Sequence, residues 1–303
     1  MYAELECKTN YSFLRGASRP EELIVQAFAL GLPALAINDY DGIYGIPKAY
    51  WEKKKFPQLQ LIVGASLNLE NHPRLTVLAK NRQGYGSLCR MLTASHEGRA
   101  KASACLSWER LEKEFSQLDG LIFLVSQEAQ LAKLLPHLRP ENIFLKIHRF
   151  LDGFDQERQE KVEWLSRRWK IPLVATNDVH FHSQARKPLQ DVLVGIRQNT
   201  PLQKLGHELF PNAERVLKSP GEMQQLFADL PEALENTLRI SASCTFCPSE
   251  LRYRYPSEWI PAGESAQSYL QKITYEGAKI RFPQKLPEKS RRRFAMSCNS
   301  LSS

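Results

Sequence analysis

Long apolar runs are missing from this chain of 303 residues. No segment approaches the roughly 18 consecutive apolar residues of a membrane-spanning helix, which argues against an integral membrane protein and against a membrane partner. Glycine (15) and proline (18) are too sparse for a collagen-like or low-complexity chain. Cysteine is scarce as well: Cys7, Cys89, Cys105, Cys244, Cys247 and Cys298 do not make a disulfide-rich miniprotein. The opening residues, MYAELECKTNYSF, include acidic side chains and no apolar core run, so they do not read as a secretory signal. Reduced thiols and a cytoplasmic location are therefore expected. Cys244 and Cys247 form a C-x-x-C pair, but no second pair completes a zinc ribbon and His207 stands alone. Their plain reading is two half-buried thiols at the end of a helix.

What is present is ordinary for a globular protein: 43% hydrophobic, 24% charged and 10% aromatic residues. The length suits one large domain and a smaller one. The formal net charge is +8, but residues 284–303 hold five cations against Glu288, 5 − 1 = +4, so half of it sits in one short tail. The basic balance alone therefore does not single out a nucleic-acid partner.

Short apolar runs alternate with helical patterns through the first two thirds. Strands are expected at Tyr2–Cys7, Ala34–Ile37, Leu59–Val63, Leu75–Ala79, Gly120–Val125, Asn142–Ile147 and Ile171–Ala175. Helices are expected from Arg19 to Leu30 with Ser18 as N-cap, and near 84–94, 127–135 and 155–169. Continuously apolar strands separated by helices indicate a parallel sheet covered on its faces, an α/β architecture. About seven such units suit a barrel, whose chemistry gathers at the C-terminal ends of the strands.

Polar residues of metal-ligand type do fall at those ends. Glu6 and Lys8 end the first strand, Asp39 follows the second, His148 follows Asn142–Ile147, and Asn177, Asp178 and His180 follow Ile171–Ala175. Aspartate and histidine suit Zn, Mn or Mg. They also cap helices and brace loops, so the pattern leaves both roles open. After residue 200 two helices are expected, opening at Ser219-Pro220 and Pro231-Glu232, then an irregular segment from Leu251 and a third helix over 265–281. Gly84-Tyr85-Gly86 lacks the rest of a dinucleotide fingerprint, and Lys53–Lys55 reads as a solvated helix end. Trp164 and Trp169 are expected to pack a helix onto the barrel.

Several stretches carry a resemblance: Tyr11–Ser18 (YSFLRGAS), Ala34–Asp39 (ALAIND), Gly84–Arg90 (GYGSLCR), Ala175–His180 (ATNDVH), Leu189–Val192 with Ile196-Arg197, Leu226–Leu238 (LFADLPEALENTL), Leu251–Pro256 (LRYRYP) and Tyr275–Ala278. In this order, over about residues 2–289, the chain resembles the N-terminal part of bacterial C-family DNA polymerases, the polymerase III alpha subunit type. LRYRYP and SFLRGAS favour the error-prone, lesion-bypass branch. The resemblance implies a polymerase-and-histidinol-phosphatase (PHP) domain, a distorted parallel β/α barrel, followed by a small helical segment leading to a polymerase palm. The expected boundaries are 1–200 for the barrel, 201–248 for its helical extension, 249–289 for a linker and the start of the polymerase region, and 290–303 for an atypical basic, Ser-rich tail.

Metal-bearing PHP domains hold a trinuclear phosphoesterase site, and the resemblance maps part of it. Asp39 matches the Asp of the second motif, Asp178 and His180 the late Asp-x-His, and His148 a mid-chain ligand. These four make a remnant metal site, with Zn or Mn as its metal. Glu6 and Lys8 stand where two histidines would be, Tyr40 where a histidine would follow Asp39, and Ser66 where a glutamate would be. A protonated Lys8 has no lone pair to offer, so the expectation is that its ammonium replaces a metal and pairs with Asp39 or Asp178. The palm carboxylates that hold Mg in the polymerase family have no counterpart here. Asp39-Tyr40-Asp41 has their spacing but belongs to the PHP strand end.

Three functional readings follow. The first is the PHP portion of an error-prone DNA polymerase, active in DNA replication, repair and translesion synthesis as a whole, with this chain a non-catalytic scaffold or partner-binding part. Its partners would be DNA, through the full polymerase, and other replication or mutagenesis proteins. The second is a free-standing PHP-type metal-dependent phosphoesterase. The third is a nucleic-acid-binding module using the basic tail and Arg252–Tyr255, where cations alternate with aromatics. The residues from Ser290 onward read as out-of-frame sequence, so a truncated or frameshifted product is expected, with a natural short form as the alternative.

Overall fold

The computed structural model describes residues 1–113, 115–252, 260–261, 263–284, 287–288 and 290. Two units are distinguished, Met1–Glu250 and Leu251–Ser303. Most of Arg252–Tyr255 and the tail beyond Ser290 lie outside the described residues.

All seven expected strands form in the first unit: β1 (Glu4–Cys7), β2 (Ala34–Ile37), β3 (Gln60–Leu67), β4 (Leu75–Ala79), β5 (Leu121–Val125), β6 (Ile143–Ile147) and β7 (Leu173–Ala175). They join in sequence order. β1, β2 and β3 run parallel, as do β5, β6 and β7. One strand departs from the parallel expectation: β4 is antiparallel to both neighbours. Only residues 68–74 join β3 to β4, and a parallel crossover needs about a dozen residues or more, so the chain turns back as a hairpin. The sheet then curls. Past β7, Val179 bridges Cys7 in parallel, with Lys8 N donating to Val179 O at 2.8 Å and Val179 N to Glu6 O at 2.7 Å. Those bonds bring the chain beyond the last strand back onto the first.

The helices of this unit are α1 (Pro20–Ala29), α2 (Ile46–Lys53), α3 (Arg82–His96), α4 (Trp108–Glu112), α5 (Glu128–Leu134), α6 (Asp155–Trp169), α7 (Lys187–Gln198), α8 (Pro220–Leu226) and α9 (Pro231–Ser243). The second unit holds α10 (Ala266–Arg281), capped by Ser265. Ser18 is not the cap of α1. Arg19 is, with its N–H bonded to Glu22 at 2.8 Å, while the Ser18 hydroxyl bonds the His182 ring and its backbone N–H, both at 2.8 Å. α7 was not among the expected helices, although Leu189, Val192, Leu193 and Ile196 recur at helical spacing; in the fold it buries Gln190, Val194 and Gly195 and leaves Leu189, Val192 and Ile196 exposed. Trp169 packs against the core and Trp164 is exposed. Gly84-Tyr85-Gly86 lies in the first turns of α3, where a Cβ on Gly84 would come within 1.7 Å of Gly120 O. Glycine there permits close helix–sheet packing.

Side chains alternate across each strand, and the two faces meet different cores. The outer face packs Leu35, Val63, Val77, Phe123 and Leu145 against Leu23, Leu88, Met91, Leu131 and Leu165 of the helices. The inner face packs Leu5, Ala36, Ile62, Leu78, Leu124, Phe144 and Val174 against Ile240 of α9 and Cys244 just past its end, so α9 plugs one end of the barrel. Thr237 of α9 accepts from Ala3 N at 3.1 Å, and Asn236 donates to Leu173 O at 2.8 Å. Two residues further along the same inward rows stand Asn38, Gly64, Lys146 and Thr176, with Thr76 two before Leu78. The interior therefore changes from apolar to polar toward the other mouth.

Candidate functional site

That polar layer is centred on Glu6, 1% exposed. Strict alternation would send Leu5 and Glu6 to opposite faces. The register of β1 on β2 shifts between Glu4 and Cys7, and this irregularity turns Glu6 inward beneath Leu5's neighbours. Its Oε1 accepts from Thr76 and Lys146, both at 2.7 Å; its Oε2 accepts from His148 at 2.7 Å and Thr176 at 2.9 Å. Burial pushes this carboxyl up, but the ammoniums of Lys146 and then Lys8, with the His148 bond, outweigh it and hold Glu6 well below the usual carboxylate range.

Lys8 is equally buried. Its Nζ donates to Asp178 Oδ1 at 2.8 Å and lies 3.9 Å from Glu6 Oε1, with the Tyr40 ring centroid at 5.7 Å. Burial disfavours its ammonium, yet Asp178 and Glu6 reverse that and raise its pKa above that of an ordinary lysine. The ion pair straddles the seam at which the sheet meets itself, since Lys8 and Asp178 flank the Cys7–Val179 bridge. Of the two expected partners for Lys8, the fold brings it Asp178. Asp178 sits at φ +42°, a conformation Asp tolerates better than most residues. Its other oxygen, Oδ2, accepts from Arg215, and His180 Nε2 lies 3.6 Å away. Burial again favours the neutral acid, and Lys8 and Arg215 overcome it to hold Asp178 well below the normal range.

Asp39 goes elsewhere. Its Oδ1 accepts from Thr9 N at 2.7 Å and the Ser12 hydroxyl at 2.6 Å; its Oδ2 accepts from the Thr9 hydroxyl at 2.8 Å. Burial raises its pKa despite these bonds. It braces the loop after β1. The neighbouring Asp41 pairs with Arg74 at 2.8 Å and accepts from Asn68 N at 2.7 Å, so the Asp-x-Asp spacing does not present two carboxylates together. Tyr40 lies between Arg74 and Arg15, whose guanidinium carbons are 4.2 and 5.2 Å from its centroid. Ser66 contributes its backbone carbonyl to Arg74 at 2.8 Å.

The four expected ligands thus divide. Asp178 and His180 share one side of the mouth, His148 sits on Glu6, and Asp39 serves the β1–α1 loop. Sequence reasoning missed Lys146, Thr76, Thr176 and Arg215. The Lys146 signal was legible as a cation at an inward position of an apolar strand, two residues beyond Phe144.

The donor set does not fit a polynuclear metal centre. Glu6 already accepts from four donors, the capacity of a carboxylate. An ionised carboxylate only accepts, so His148 Nε2 carries a hydrogen and has no lone pair for a metal; its pKa is lowered by burial although Glu6 opposes this. His180 Nδ1 lies 2.8 Å from Arg15 O and carries the hydrogen of that bond, so the neutral ring keeps its lone pair on Nε2, which faces Asp178 Oδ2 at 3.6 Å, an oxygen already taken by Arg215. Among the described residues no group of three or more His, Cys, Asp or Glu side chains is placed to hold a metal ion. Nor is any helix among them long and apolar enough to cross a membrane.

A curled seven-stranded mixed sheet, helices outside it and a histidine- and carboxylate-bearing mouth define a PHP-type α/β fold. The PHP domain family matches residues 4–161, and the chain belongs to that family. Its curated relatives include the error-prone DNA polymerases of Methylococcus capsulatus, 38% identical over 297 residues, and of Bradyrhizobium diazoefficiens, 35% identical over 311 residues. Each alignment covers 96% of this chain but 28% and 26% of the respective relative. The error-prone DNA polymerase of Pseudomonas aeruginosa is 36% identical over 283 residues, 93% of this chain and 27% of that protein. The chain therefore spans little more than a quarter of the relatives it matches.

Proposed function

We propose that this chain is the PHP portion of an error-prone DNA polymerase and acts there as a scaffold rather than as a phosphoesterase. The observation that carries this reading is the Lys8 ammonium. It occupies the barrel mouth in contact with Asp178 and Glu6, where a divalent cation would meet the same carboxylates. Lys8, Lys146 and Arg215 supply the positive charge that Glu6 and Asp178 require, so the fold needs no Zn or Mn for charge balance. Asp39, His148, Asp178 and His180 are then the remnant of a metal site converted to internal bonds. DNA-directed DNA synthesis, its Mg ions, DNA binding and contacts with other replication or mutagenesis proteins would belong to the whole polymerase.

Two measurements test this. The purified chain should retain less than one equivalent of Zn or Mn and release no phosphate from p-nitrophenyl phosphate when either metal is added. Stoichiometric metal together with metal-dependent turnover would overturn the scaffold role. The polymerase assignment is tested by a chimera in which this chain replaces the matching segment of the Methylococcus capsulatus relative. Primer extension past a template lesion should survive; a folded chimera without extension would sink the assignment.

A further inference from the structure

Lys53–Lys55 at the end of α2 read in sequence as a solvated helix end, where cations suit the helix dipole. That role explains the lysines but not Trp51 beside them. Trp51 is 66% exposed, the most exposed tryptophan among the described residues. Tryptophan is among the side chains that interfaces recruit most strongly. Lys54 Nζ lies over its ring, 3.7 Å from the centroid, and 4.9 Å from the centroid of Tyr50. Lys48, Trp51, Lys54 and Lys55 follow one ridge by their spacing of three and four.

The charge on this ridge is only partly matched. Lys55 pairs with Glu52 at 2.8 Å, and Lys48 lies 4.0 Å from Glu21 of α1. Lys53 and Lys54 have no carboxylate partner among the described residues. Trp164 on α6 makes the contrast, because the cation over its ring, Arg168, is also paired with Glu128 at 3.2 Å. An unmatched ammonium over an exposed indole sets α2 apart.

A cleft of about 290 Å³ adjoins the ridge, with Tyr50, Lys53, Pro57, Thr245 and Phe246 in its lining. That volume is near the low end for small-ligand sites, about 300 Å³. Phe246 is fixed there by stacking on Tyr85 at 4.5 Å. Tyr50 lines the cleft and also stands 6.3 Å from Trp51, centroid to centroid, so ridge and cleft form one surface. It offers two aromatic stations, with Lys54 over both rings and Lys53 at the cleft wall. The surface shares no residue with the Lys8 and Glu6 network.

We propose that the α2 ridge and its cleft bind single-stranded DNA, with one base stacked on Trp51, another in the Tyr50 cleft, and the phosphates between them on Lys53 and Lys54. Aromatic faces that accept any base, set among cations that follow a phosphate backbone, are the chemistry of single-strand binding. A duplex keeps its bases stacked on one another and has none to offer Trp51, so single strands are preferred. That the strand is DNA rather than RNA rests on the polymerase function proposed above. The surface gives this chain a nucleic-acid contact of its own, in addition to those of the whole polymerase.

The test titrates the purified chain into a labelled oligo(dT) of about twelve nucleotides, read by fluorescence anisotropy. At about 50 mM salt the Kd should fall below about 100 μM. Trp51→Ala removes an exposed ring, leaves the core intact, and should weaken binding about tenfold, the size of one lost base stack. Lys53→Gln combined with Lys54→Gln should lower the slope of log K against log salt by about 1.4, two phosphate contacts on a single strand. An abasic oligomer with the same number of phosphates should bind about tenfold more weakly than oligo(dT). Trp164→Ala, at the exposed tryptophan of α6, should bind as wild type does. Absence of binding by the folded wild-type chain would overturn the proposal. Full binding in Trp51→Ala, or equal affinity for the abasic oligomer, would do the same, because charge alone, such as that of the basic tail, would then hold the strand. Polyglutamate displacing the label as well as unlabelled oligo(dT) would give the surface to an acidic protein instead. Tighter binding of oligo(U) than of oligo(dT) would overturn the choice of DNA. Binding is read on the chain itself, so its failure would leave the primer-extension test of the polymerase assignment untouched.

Discussion

Replacing Lys8 with methionine keeps an unbranched buried stem and deletes the ammonium at the seam of the sheet. Removing one partner of a buried ion pair costs about 3–5 kcal/mol, because the remaining charge stays out of water. Here neither carboxylate is left bare: Asp178 keeps Arg215, and Glu6 keeps Lys146 and His148. The loss should therefore sit at the low end, about 3 kcal/mol. Asp178→Asn strands Lys8, with Glu6 remaining at 3.9 Å, and should cost a similar amount. If the two act as one pair, the double variant removes the charge each single change had stranded. It should cost about 3–4 kcal/mol rather than the roughly 6 of simple addition, a coupling of about 2–3 kcal/mol. Urea unfolding of the four proteins at neutral pH measures this cycle directly. Additivity within about 0.5 kcal/mol would refute the claim that Lys8 stands in for a metal by charge. The pH dependence gives a second check. Glu6 and Asp178 have depressed folded pKa values, so their stabilisation is present above the ordinary carboxylate range, near 4, and is lost as pH falls below it. The Lys8→Met penalty should be flat from about pH 5 to 8 and shrink in acid.

Glu4 shifts the opposite way. Burial outweighs its bonds from Tyr2 and the Glu6 N–H and lifts its pKa from 4.5 to about 7, so the folded state holds a proton that the unfolded state has released, and stability falls as pH rises through that interval, by about 3 kcal/mol in all. Glu4→Gln should flatten this slope in urea titrations at pH 5, 6, 7 and 8; an unchanged slope would remove Glu4 as its source. Gly84→Ala drives a methyl into the Gly120 carbonyl and should cost about 3 kcal/mol, whereas Gly221→Ala at the start of α8, whose Cβ would meet only Ser219 Oγ at 4.0 Å, should change the unfolding midpoint little. Lys8→His restores a ligand type at the mouth but leaves Glu6 saturated by its other donors, so Zn or Mn should still give no thermal shift; a clear metal-dependent gain in melting temperature would show that Lys8 alone excludes the metal.

Local sequence determined the elements. Strands β2 to β7 are mainly apolar runs because both of their faces are buried, and the helices at 155–169, 220–226 and 231–243 begin where acidic residues, Ser-Pro and Pro-Glu signals place them. The family motifs were equally legible, since ALAIND and ATNDVH are contiguous, and so were Asp39, His148, Asp178 and His180 as polar residues at strand ends.

Tertiary structure decided what those residues do. Alternation by itself cannot turn Glu6 inward beside Leu5; the irregular pairing of β1 with β2 does that. Nothing local makes β4 run backwards except a connection too short to cross the sheet. α7 buries Gln190 with Val194 and Gly195 and leaves Leu189, Val192 and Ile196 exposed, an orientation that helical periodicity by itself would reverse. Most of all, Lys8 and Asp178 lie 170 positions apart. Their residue types allowed a pair, but only the curl of the sheet, closing the chain beyond β7 onto β1, places a buried ammonium and a carboxylate at 2.8 Å. Charge pairing over such a separation depends on distance and burial, and neither is a property of neighbouring residues in the chain.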